Sequence, residues 1–173
     1  ESLFGPQTSR LKSTNSYRHC DECGYFDRVQ GYGEFYFYFL LVVYGFSHKR
    51  RHMCDDCGAR LANKLLAINA VFLLGVPNAL ACAFRARAGR DQDLSPLAKA
   101  NRLAKKGKME LANAEYQKVL GVLPDHPGVH LNMARGYLTC QRAGEGLSHL
   151  RQSIDACSNF DPAIGIAARI SSG

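Results

Sequence analysis

The stretch Cys20-Asp-Glu-Cys23-Gly24 is matched by a second stretch, Cys54-Asp-Asp-Cys57-Gly58, and 30 residues lie between Cys23 and Cys54. In each CxxCG unit, two intervening residues let both sulfurs reach one ion, and we expect the glycine to adopt the positive φ that closes the turn. Two such units supply four soft ligands, the set that tetrahedral Zn²⁺ takes in structural sites. The sequence therefore predicts a zinc site with these ligands: Cys20, Cys23, Cys54 and Cys57.

The same cysteines are compatible with other chemistry. One CxxC unit could be a redox dithiol, although two matched units argue against it, and two disulfides would need an oxidising compartment. His19 and His52 adjoin the ligands and could replace one thiolate, but we expect them to be neighbours of the site. Four thiolates leave no open position on the ion, so the predicted site is structural and not catalytic.

Three of the seven cysteines lie outside the predicted site: Cys82, Cys140 and Cys157. We expect them to be buried free thiols, with the last two far apart near the ends of successive helices. Free thiols are typical of a reducing compartment. The sequence therefore predicts a cytoplasmic protein, with membrane association left open.

Between the two units the composition is that of a β-sheet. Residues 34–44 are almost wholly aromatic and β-branched, and Gly31, Gly33 and Gly45 are expected to mark the turns at either end. We predict a small three-stranded antiparallel sheet that brings the CxxCG units together.

Further features accompany the cysteine units, namely Leu3-Phe4-Gly5, an aromatic run at 35–41 and an expected turn at 45–49. With these features, residues 3–60 resemble a small bacterial zinc-ribbon family. Members of that family often carry an Ile-Pro pair after the aromatics, where this chain has 41–44, Leu-Val-Val-Tyr. The resemblance implies a zinc-ribbon fold and no known chemistry.

An apolar segment follows the ribbon. Residues 65–84 contain no charged side chain, and Pro77 interrupts them, so we predict a helical hairpin at 61–90. Three placements are open: a hairpin packed on protein, a hairpin inserted into a membrane, or a single membrane span. Basic residues on both flanks favour a hairpin, and a packed one would cover the exposed end of the helices that follow.

From residue 95 the chain repeats itself at an offset of 34 residues. The following pairs match in size at this offset: Ala100 with Ala134, Ala112 with Gly146, and Tyr116 with Leu150. Small residues recur where helices cross closely and large ones where they fill grooves, which is typical of a helical solenoid. On these positions, with Lys106-Gly107 and Leu123-Pro124, residues 95–161 resemble the tetratricopeptide repeat (TPR) family.

The TPR resemblance implies a concave face that binds an extended peptide of a partner protein. The positions predicted to bind this peptide are Leu97, Asn101, Lys105, Asn132, Arg135 and Leu138. Asn101 and Asn132 match amides that hold peptide backbone in chaperone-binding members. Leu97 and Ile166 stand where such members carry basic residues, so a generic peptide groove is favoured over a carboxylate clamp.

The net charge of +7 is concentrated at the apolar segment, because residues 1–59 are neutral, 60–90 carry +5 and 91–173 carry +2. A neutral ribbon argues against a nucleic-acid-binding face, although stacking of its aromatics on bases is an alternative. The basic cluster at 99–108 is expected to be a solvated helix end, or a contact for anionic lipid or an acidic partner.

The predicted fold is α+β and multi-domain: an extended arm at 1–18, a small antiparallel β zinc ribbon at 19–60, an all-α hairpin at 61–90 and a TPR-type α-solenoid at 95–173. The sequence shows no catalytic constellation, since its histidines are scattered and it has no nucleotide-binding loop. It therefore predicts a non-enzymatic scaffold or adaptor with a structural zinc ribbon and a peptide-binding surface. A membrane-anchored assembly factor and a nucleic-acid-binding ribbon are the alternatives.

Overall fold

The computed structural model describes residues 17–40, 43–69, 76–87 and 94–172, with residues 34–40, 43–48, 69 and 87 described by backbone alone. The arm predicted at 1–18 lies outside the described residues except for its last two positions. The described residues form a three-stranded sheet followed by seven helices, which confirms a mixed α+β layout.

Three strands pair in the antiparallel sheet that the sequence predicts. In spatial order they are β1 (Tyr17–His19), β2 (Phe26–Leu40) and β3 (Val43–Cys54). The β2–β3 ladder runs from Val29 opposite Cys54 to Leu40 opposite Val43. At the other edge of β2, the short β1 pairs His19 with Phe26. This pairing brings the end of β3, which carries the second CxxCG unit, beside the loop that carries the first.

Three glycines predicted to mark turns lie inside strands. Gly31 and Gly33 belong to β2, and Gly45 belongs to β3 opposite Tyr38. The prediction was wrong because an antiparallel ladder uses only backbone N–H and C=O groups, which glycine also supplies. The turn expected at 45–49 is likewise wrong, since these residues continue β3.

Two helices follow the sheet, α1 (Asp55–Asn69) and α2 (Val76–Arg87). They pack against each other and against β2 and β3. The predicted break falls between them, with Pro77 in the first turn of α2, where its missing N–H leaves no hydrogen bond unmade. α1 begins earlier than 61 because Asp55 and Asp56 occupy its first turn, where carboxylates favour a helix. Among the described helices, none combines the length and apolarity needed to cross a membrane.

Five more helices complete the described chain: α3 (Ser95–Lys105), α4 (Met109–Leu120), α5 (Pro127–Thr139), α6 (Ala143–Ala156) and α7 (Asp161–Ser171). α3 packs with α4, and α5 packs with α6. The small residues aligned by the 34-residue offset are buried where these helices meet, and Ala100, Ala112 and Ala134 have no exposed surface. α7 adds Ala163 and Ile166 to the core that α5 and α6 form.

The ribbon lies between two hydrophobic cores. One core joins the sheet to α1 and α2 and contains Tyr32, Met53 and Leu65. The other joins the sheet to α3, α4 and α5, and here Tyr25 is buried and Phe26 half-buried. We expected the apolar hairpin to cover the repeats, but the hairpin shares its core with the ribbon. The ribbon itself packs on the repeats.

Candidate metal centre

The four cysteines predicted as metal ligands lie close together. Their sulfur atoms are all within 4.8 Å of one another, and all four are free thiols. Cys23 Sγ and Cys54 Sγ are 3.8 Å apart. Two sulfurs bound to one tetrahedral Zn²⁺ would also be about 3.8 Å apart, given Zn–S bonds of about 2.3 Å. The cluster is therefore compatible with a structural metal site.

The first CxxCG unit is a tight loop between β1 and β2. Gly24 has a φ of 69°, and its N–H donates a hydrogen bond to the Cys20 carbonyl at 2.8 Å. The Cys20 N–H donates to the Tyr25 carbonyl at 3.0 Å. Gly24 thus has the positive φ predicted for it, and this conformation turns both sulfurs to the same side.

The second unit is built differently, because Cys54 ends β3 and Cys57 lies in the first turn of α1. Gly58 is helical, so the positive φ predicted for it is wrong. Glycine is required here for a steric reason, because a Cβ at Gly58 would lie 2.3 Å from the ring of the fully buried Tyr32. The helix N-terminus carries positive partial charge, which stabilises a thiolate at Cys57.

The donors that reach the sulfur atoms include a backbone N–H and two cationic side chains. The Cys54 N–H donates to Cys20 Sγ at 3.3 Å, Arg60 Nη2 donates to Cys57 Sγ at 3.0 Å, and Lys105 Nζ lies 3.7 Å from Cys54 Sγ. A divalent cation with four thiolates carries a net charge of −2, and the two cationic side chains balance it. Arg60 comes from α1, whereas Lys105 comes from the first repeat helix, α3.

The thiols influence each other's ionisation. Hydrogen bonds with the other three cysteines, Cys23 first, lower the pKa of Cys20. The pKa of Cys54 is raised, chiefly by its hydrogen bond with Cys20. Burial opposes the charge of Lys105, but the thiolates of Cys54, Cys23 and Cys57 raise its pKa overall. Four thiolates repel one another unless a cation lies among them. Binding of such a cation would release the protons of those cysteines that are still thiols.

Neither histidine that adjoins the cysteines joins the cluster. The group of potential ligands found among the described residues consists of the four cysteines. His19 Nδ1 lies 3.1 Å from the Gly24 carbonyl, and burial lowers the pKa of this histidine. His52 lies 3.9 Å from Asp21. Both occupy the neighbouring positions that we expected.

The other three cysteines are free thiols with separate surroundings. Cys82 is buried, as predicted, and contacts the Gly33 carbonyl at 3.8 Å. Cys140 and Cys157 are only half-buried, so the prediction of full burial was wrong for them. Both lie at helix C-termini, where the last turn opens to solvent.

The two asparagines predicted to hold the backbone of a partner peptide hold the backbone of this chain instead. Asn132 accepts a hydrogen bond from Phe26 N at 2.8 Å and donates one to Phe26 O at 2.7 Å. Asn101 donates to the same carbonyl at 2.9 Å. Both asparagines are fully buried. An external peptide therefore cannot reach these amides while Phe26 occupies them.

A buried polar network supports this contact. Asn132 Nδ2 and Tyr116 Oη both donate to Asn101 Oδ1, at 2.9 and 2.8 Å. Asn101 Nδ2 donates to Asp27 Oδ2 at 2.9 Å. Burial raises the pKa of Asp27 to about 6, although the hydrogen bond from Asn101 opposes the shift. Every oxygen and nitrogen of the two amides named here has a partner, which holds Phe26 in one position.

The four remaining residues of the predicted groove divide between the ribbon contact and the helix cores. Arg135 Nη1 donates to the Cys23 carbonyl at 3.2 Å, and Lys105 approaches Cys54 as described above. Leu97 is fully buried in the repeat core. Leu138 is half-buried and packs against Gly146 of α6. Four of the six predicted positions thus contact the ribbon.

Sequence reasoning missed the residues of the ribbon that enter the groove. Tyr25, Phe26 and Asp27 directly follow the first CxxCG unit. Phe26 contacts Asn132 across 106 positions of the chain, and Asp27 contacts Asn101 across 74. An aromatic next to an acidic residue has no periodicity that would indicate such a contact. Their position immediately after the first CxxCG unit is the one local feature that sets them apart.

No protein-family model, curated protein or solved structure matches this chain. The zinc-ribbon and TPR resemblances therefore stay predictions from their motif residues. Function has to be inferred from the geometry of the chain itself.

Proposed function

We propose that this chain is a non-enzymatic scaffold in which a structural Zn²⁺ fastens the ribbon to the helical repeats. The observation that carries the proposal is that the repeats contact both cysteine units. Lys105 Nζ lies 3.7 Å from Cys54 Sγ, and Arg135 Nη1 donates to the carbonyl of Cys23 at 3.2 Å. The metal centre is thus part of the contact between the ribbon and the repeats.

Four thiolates favour a structural role for the ion. They fill a tetrahedral coordination sphere, so no position is left for a substrate or an activated water. Thiolates are soft ligands. Zn²⁺ binds four of them in tetrahedral geometry and is not itself oxidised or reduced. A reduced, cytoplasmic environment would keep these thiols available to the ion.

In this proposal the first occupant of the concave face is the ribbon. Asn101 and Asn132 bind main-chain atoms, as expected for a groove that recognises an extended segment, and Phe26 supplies those atoms. A protein partner then binds the outer surfaces of the repeats. Leu111 on α4 is 58% exposed, and Leu147 on α6 is 36% exposed.

Metal analysis of the chain purified without added zinc tests the metal centre. We expect about one zinc per chain, displaced by chelation with the appearance of four titratable thiols. Cys157→Ser, which changes a half-buried cysteine outside the cluster, is the matched control and should retain the zinc. Less than half an equivalent of zinc, with the thiols reduced, would contradict the proposal.

Hydrogen exchange tests whether the metal fastens the ribbon to the repeats. Chelation should increase exchange in β2 and in the faces of α3 and α5 that contact it, because the docked ribbon protects these amides. Exchange in α6 and α7, whose core with α5 contains no ribbon residue, should change little. A zinc-free chain with unchanged protection in β2, α3 and α5 would show that the metal does not fasten the two parts.

A further inference from the structure

The helical hairpin presents an exposed apolar surface. Pro77, Leu80, Ala81 and Phe84 are exposed and recur at the spacing of one side of α2. Phe84 is 73% exposed and Leu80 is 56% exposed, and Ile68 near the end of α1 is 46% exposed. These five residues are called the apolar face below. Large apolar side chains exposed together are typical of an interaction surface.

The apolar face lies beside strands that lead away from the cysteines. Asn78 Nδ2 donates to the Gly33 carbonyl at 3.1 Å, and Arg85 Nη1 donates to the Gly31 carbonyl at 3.1 Å. α2 therefore runs along β2, and its first turn is farther from Val29, which pairs with Cys54, than its last turn is.

The β2–β3 ladder continues past the start of α2. From Glu34 opposite Lys49 to Leu40 opposite Val43 it adds seven residue pairs, which extend it by roughly 23 Å at about 3.3 Å per residue. We call residues 34–40 with 43–49 the strand arm. Its aromatic and aliphatic residues are Phe35, Tyr36, Phe37, Tyr38, Phe39, Leu40, Val43, Tyr44 and Phe46.

Charge is distributed unevenly around this end of the molecule. Residues 35–54 and 57–90 contain no Asp or Glu. The exposed basic side chains among the described residues of these two stretches are Lys49, Arg50, Arg60, Lys64 and Arg85. The nearest carboxylates of α1, Asp55 and Asp56, lie at its opposite end and are paired with basic residues. Glu34, which lies opposite Lys49, is the one acidic residue of the strand arm, and the basic residues around the apolar end outnumber it.

We propose that the apolar face and the strand arm dock on a membrane surface that contains anionic lipids. Tyr and Phe favour the boundary between headgroups and acyl chains, and basic residues beside them are attracted to anionic headgroups. A protein partner would also need polar groups that fix its orientation. The apolar face offers none, and a lipid surface requires none.

Flotation of the full zinc-containing chain with lipid vesicles tests this inference. We expect binding to phosphatidylcholine vesicles that contain about 30% phosphatidylglycerol, and at least about tenfold weaker binding to pure phosphatidylcholine. Leu80→Asp with Phe84→Asp should weaken binding by at least about tenfold, because charge is introduced into the part that enters the lipid. Both side chains are exposed, so the variant is expected to fold, and its circular dichroism and zinc content check this.

Two matched variants locate the effect. Leu111→Asp with Leu147→Asp changes exposed leucines of the repeats and should leave vesicle binding unchanged. Lys49→Gln with Lys64→Gln should weaken binding to the anionic vesicles several-fold, whereas Lys106→Gln with Lys108→Gln, on exposed lysines after α3, should not. Zinc content is measured on each variant, so a failure of the metal centre is distinguishable from a failure of membrane docking.

Several results would overturn the inference. It is wrong if the chain floats with neither vesicle, or if Leu80→Asp with Phe84→Asp binds as well as the parent chain. It is also wrong if sedimentation shows a dimer that this variant converts to a monomer while vesicles bind neither form. In that case a second copy of the chain covers the apolar face.

Discussion

The ribbon contacts helices on two sides, and the two contacts have different chemistry. On the α1–α2 side, buried side chains such as Tyr32, Met53 and Leu65 pack together, and main-chain carbonyls of β2 accept from the half-buried Asn78 and the exposed Arg85. On the repeat side, Asn101 and Asn132 hydrogen-bond to the backbone of Phe26. Apolar packing is stabilising but tolerates small shifts. Satisfied buried amides permit one arrangement, so the repeat side sets where the ribbon sits.

Both contacts include the clustered cysteines. Cys20, Cys54 and Cys57 belong to the core shared with α1 and α2, while Lys105 and Arg135 reach the same two units from the repeats. Asp56 of α1 also lies 3.7 Å from Arg102 and 3.6 Å from Lys105. These ion pairs are partly exposed and each contributes at most about 1 kcal/mol. The metal centre is therefore the main element common to both sides.

The largest effect is expected from removing a ligand. Cys54→Ser should abolish zinc binding and unfold the ribbon, because metal binding in small zinc modules contributes about 10–16 kcal/mol. The contacts of the ribbon with α1–α2 and with the repeats should be lost together. Zinc analysis and thermal unfolding followed by circular dichroism would measure this loss. Cys157→Ser serves as the control. A Cys54→Ser chain that retains zinc and its unfolding temperature would show that the cluster is not a metal site.

Breaking the repeat side alone is the next largest change. Asn132→Ala removes hydrogen bonds to Phe26 N, Phe26 O and Asn101 Oδ1 and leaves buried groups unpaired, so we expect a loss of about 3–5 kcal/mol in unfolding free energy. Urea unfolding measures the loss, and hydrogen exchange should increase in β2, α3 and α5 more than in α1. Asn113→Ala, at a half-buried site on α4, should cost under about 1 kcal/mol. Equal losses for the two variants would contradict the backbone contact.

The ribbon's contact with α1–α2 and its contact with the repeats each include one glycine at which the same substitution can be made. A Cβ at Gly58 would lie 2.3 Å from the buried Tyr32 ring, and a Cβ at Gly128 would lie 2.7 Å from the ring of the half-buried Phe26. We expect Gly58→Ala to cost about 2–3 kcal/mol and Gly128→Ala about 1–2 kcal/mol, because Phe26 has more room to move. Chemical denaturation of the zinc-bound chains gives both values.

Gly144→Ala is the control for this pair, because a Cβ there meets nothing within 4 Å. It should stabilise α6 by up to about 1 kcal/mol, as alanine is the better helix former. If Gly128→Ala also stabilised the chain, the ring of Phe26 would not pack against α5 as described.

A smaller effect is expected for the charge that links the repeats to the metal. Lys105→Met keeps most of the side-chain packing but removes the cation beside Cys54, and we expect zinc affinity to fall by roughly tenfold. Competition with a chromophoric chelator measures the affinity. Lys106→Met, at the next and exposed position, should leave it unchanged. An equal fall in zinc affinity for both variants would indicate an effect of long-range charge and not of the contact between Lys105 and Cys54.

The smallest predicted effect concerns Asp27 of the repeat contact. Its folded-state pKa of about 6 lies above its ordinary value of 3.8. Ionisation is therefore disfavoured in the folded chain, and the folded state gains stability as the pH falls through about 6. Asp27→Asn removes this titration. The stability difference between variant and parent should shift by about 0.8 kcal/mol in favour of the parent between pH 7.5 and 5.5.

Comparing the parent and Asp27→Asn at each pH cancels the titration of the thiols and histidines, which both chains share. Urea unfolding at the two pH values is sufficient for the measurement. A difference that stays constant with pH would show that Asp27 is not held in a protonation-sensitive, buried position.

Local patterns predicted much of the molecule correctly. The four cysteines converge because a CxxC spacing places two sulfurs together, whatever the rest of the fold is. Pro77 lies in the first turn of α2, where a proline lacks no helical hydrogen bond. The small residues Ala100, Ala112 and Ala134 are buried because closely crossing helices need them at a fixed interval.

Predictions failed where a residue's role depends on a distant partner. Gly58 was expected to close a turn, but it is small because the Tyr32 ring lies against it. Gly31, Gly33 and Gly45 were expected to end strands, but their backbone groups continue the ladder. In each case the local preference of glycine for turns was outweighed by packing or pairing with a neighbouring element.

The sequence by itself determined the four-cysteine cluster, the sheet, the pair of helices after it and the repeated helices, because each depends on residue spacing within a short stretch. The tertiary structure alone decided what occupies the groove formed by Asn101 and Asn132. Their partner, Phe26, is 106 positions away from Asn132. Main-chain N–H and C=O groups are the same in every residue, so no side-chain pattern can indicate which ones an amide will bind.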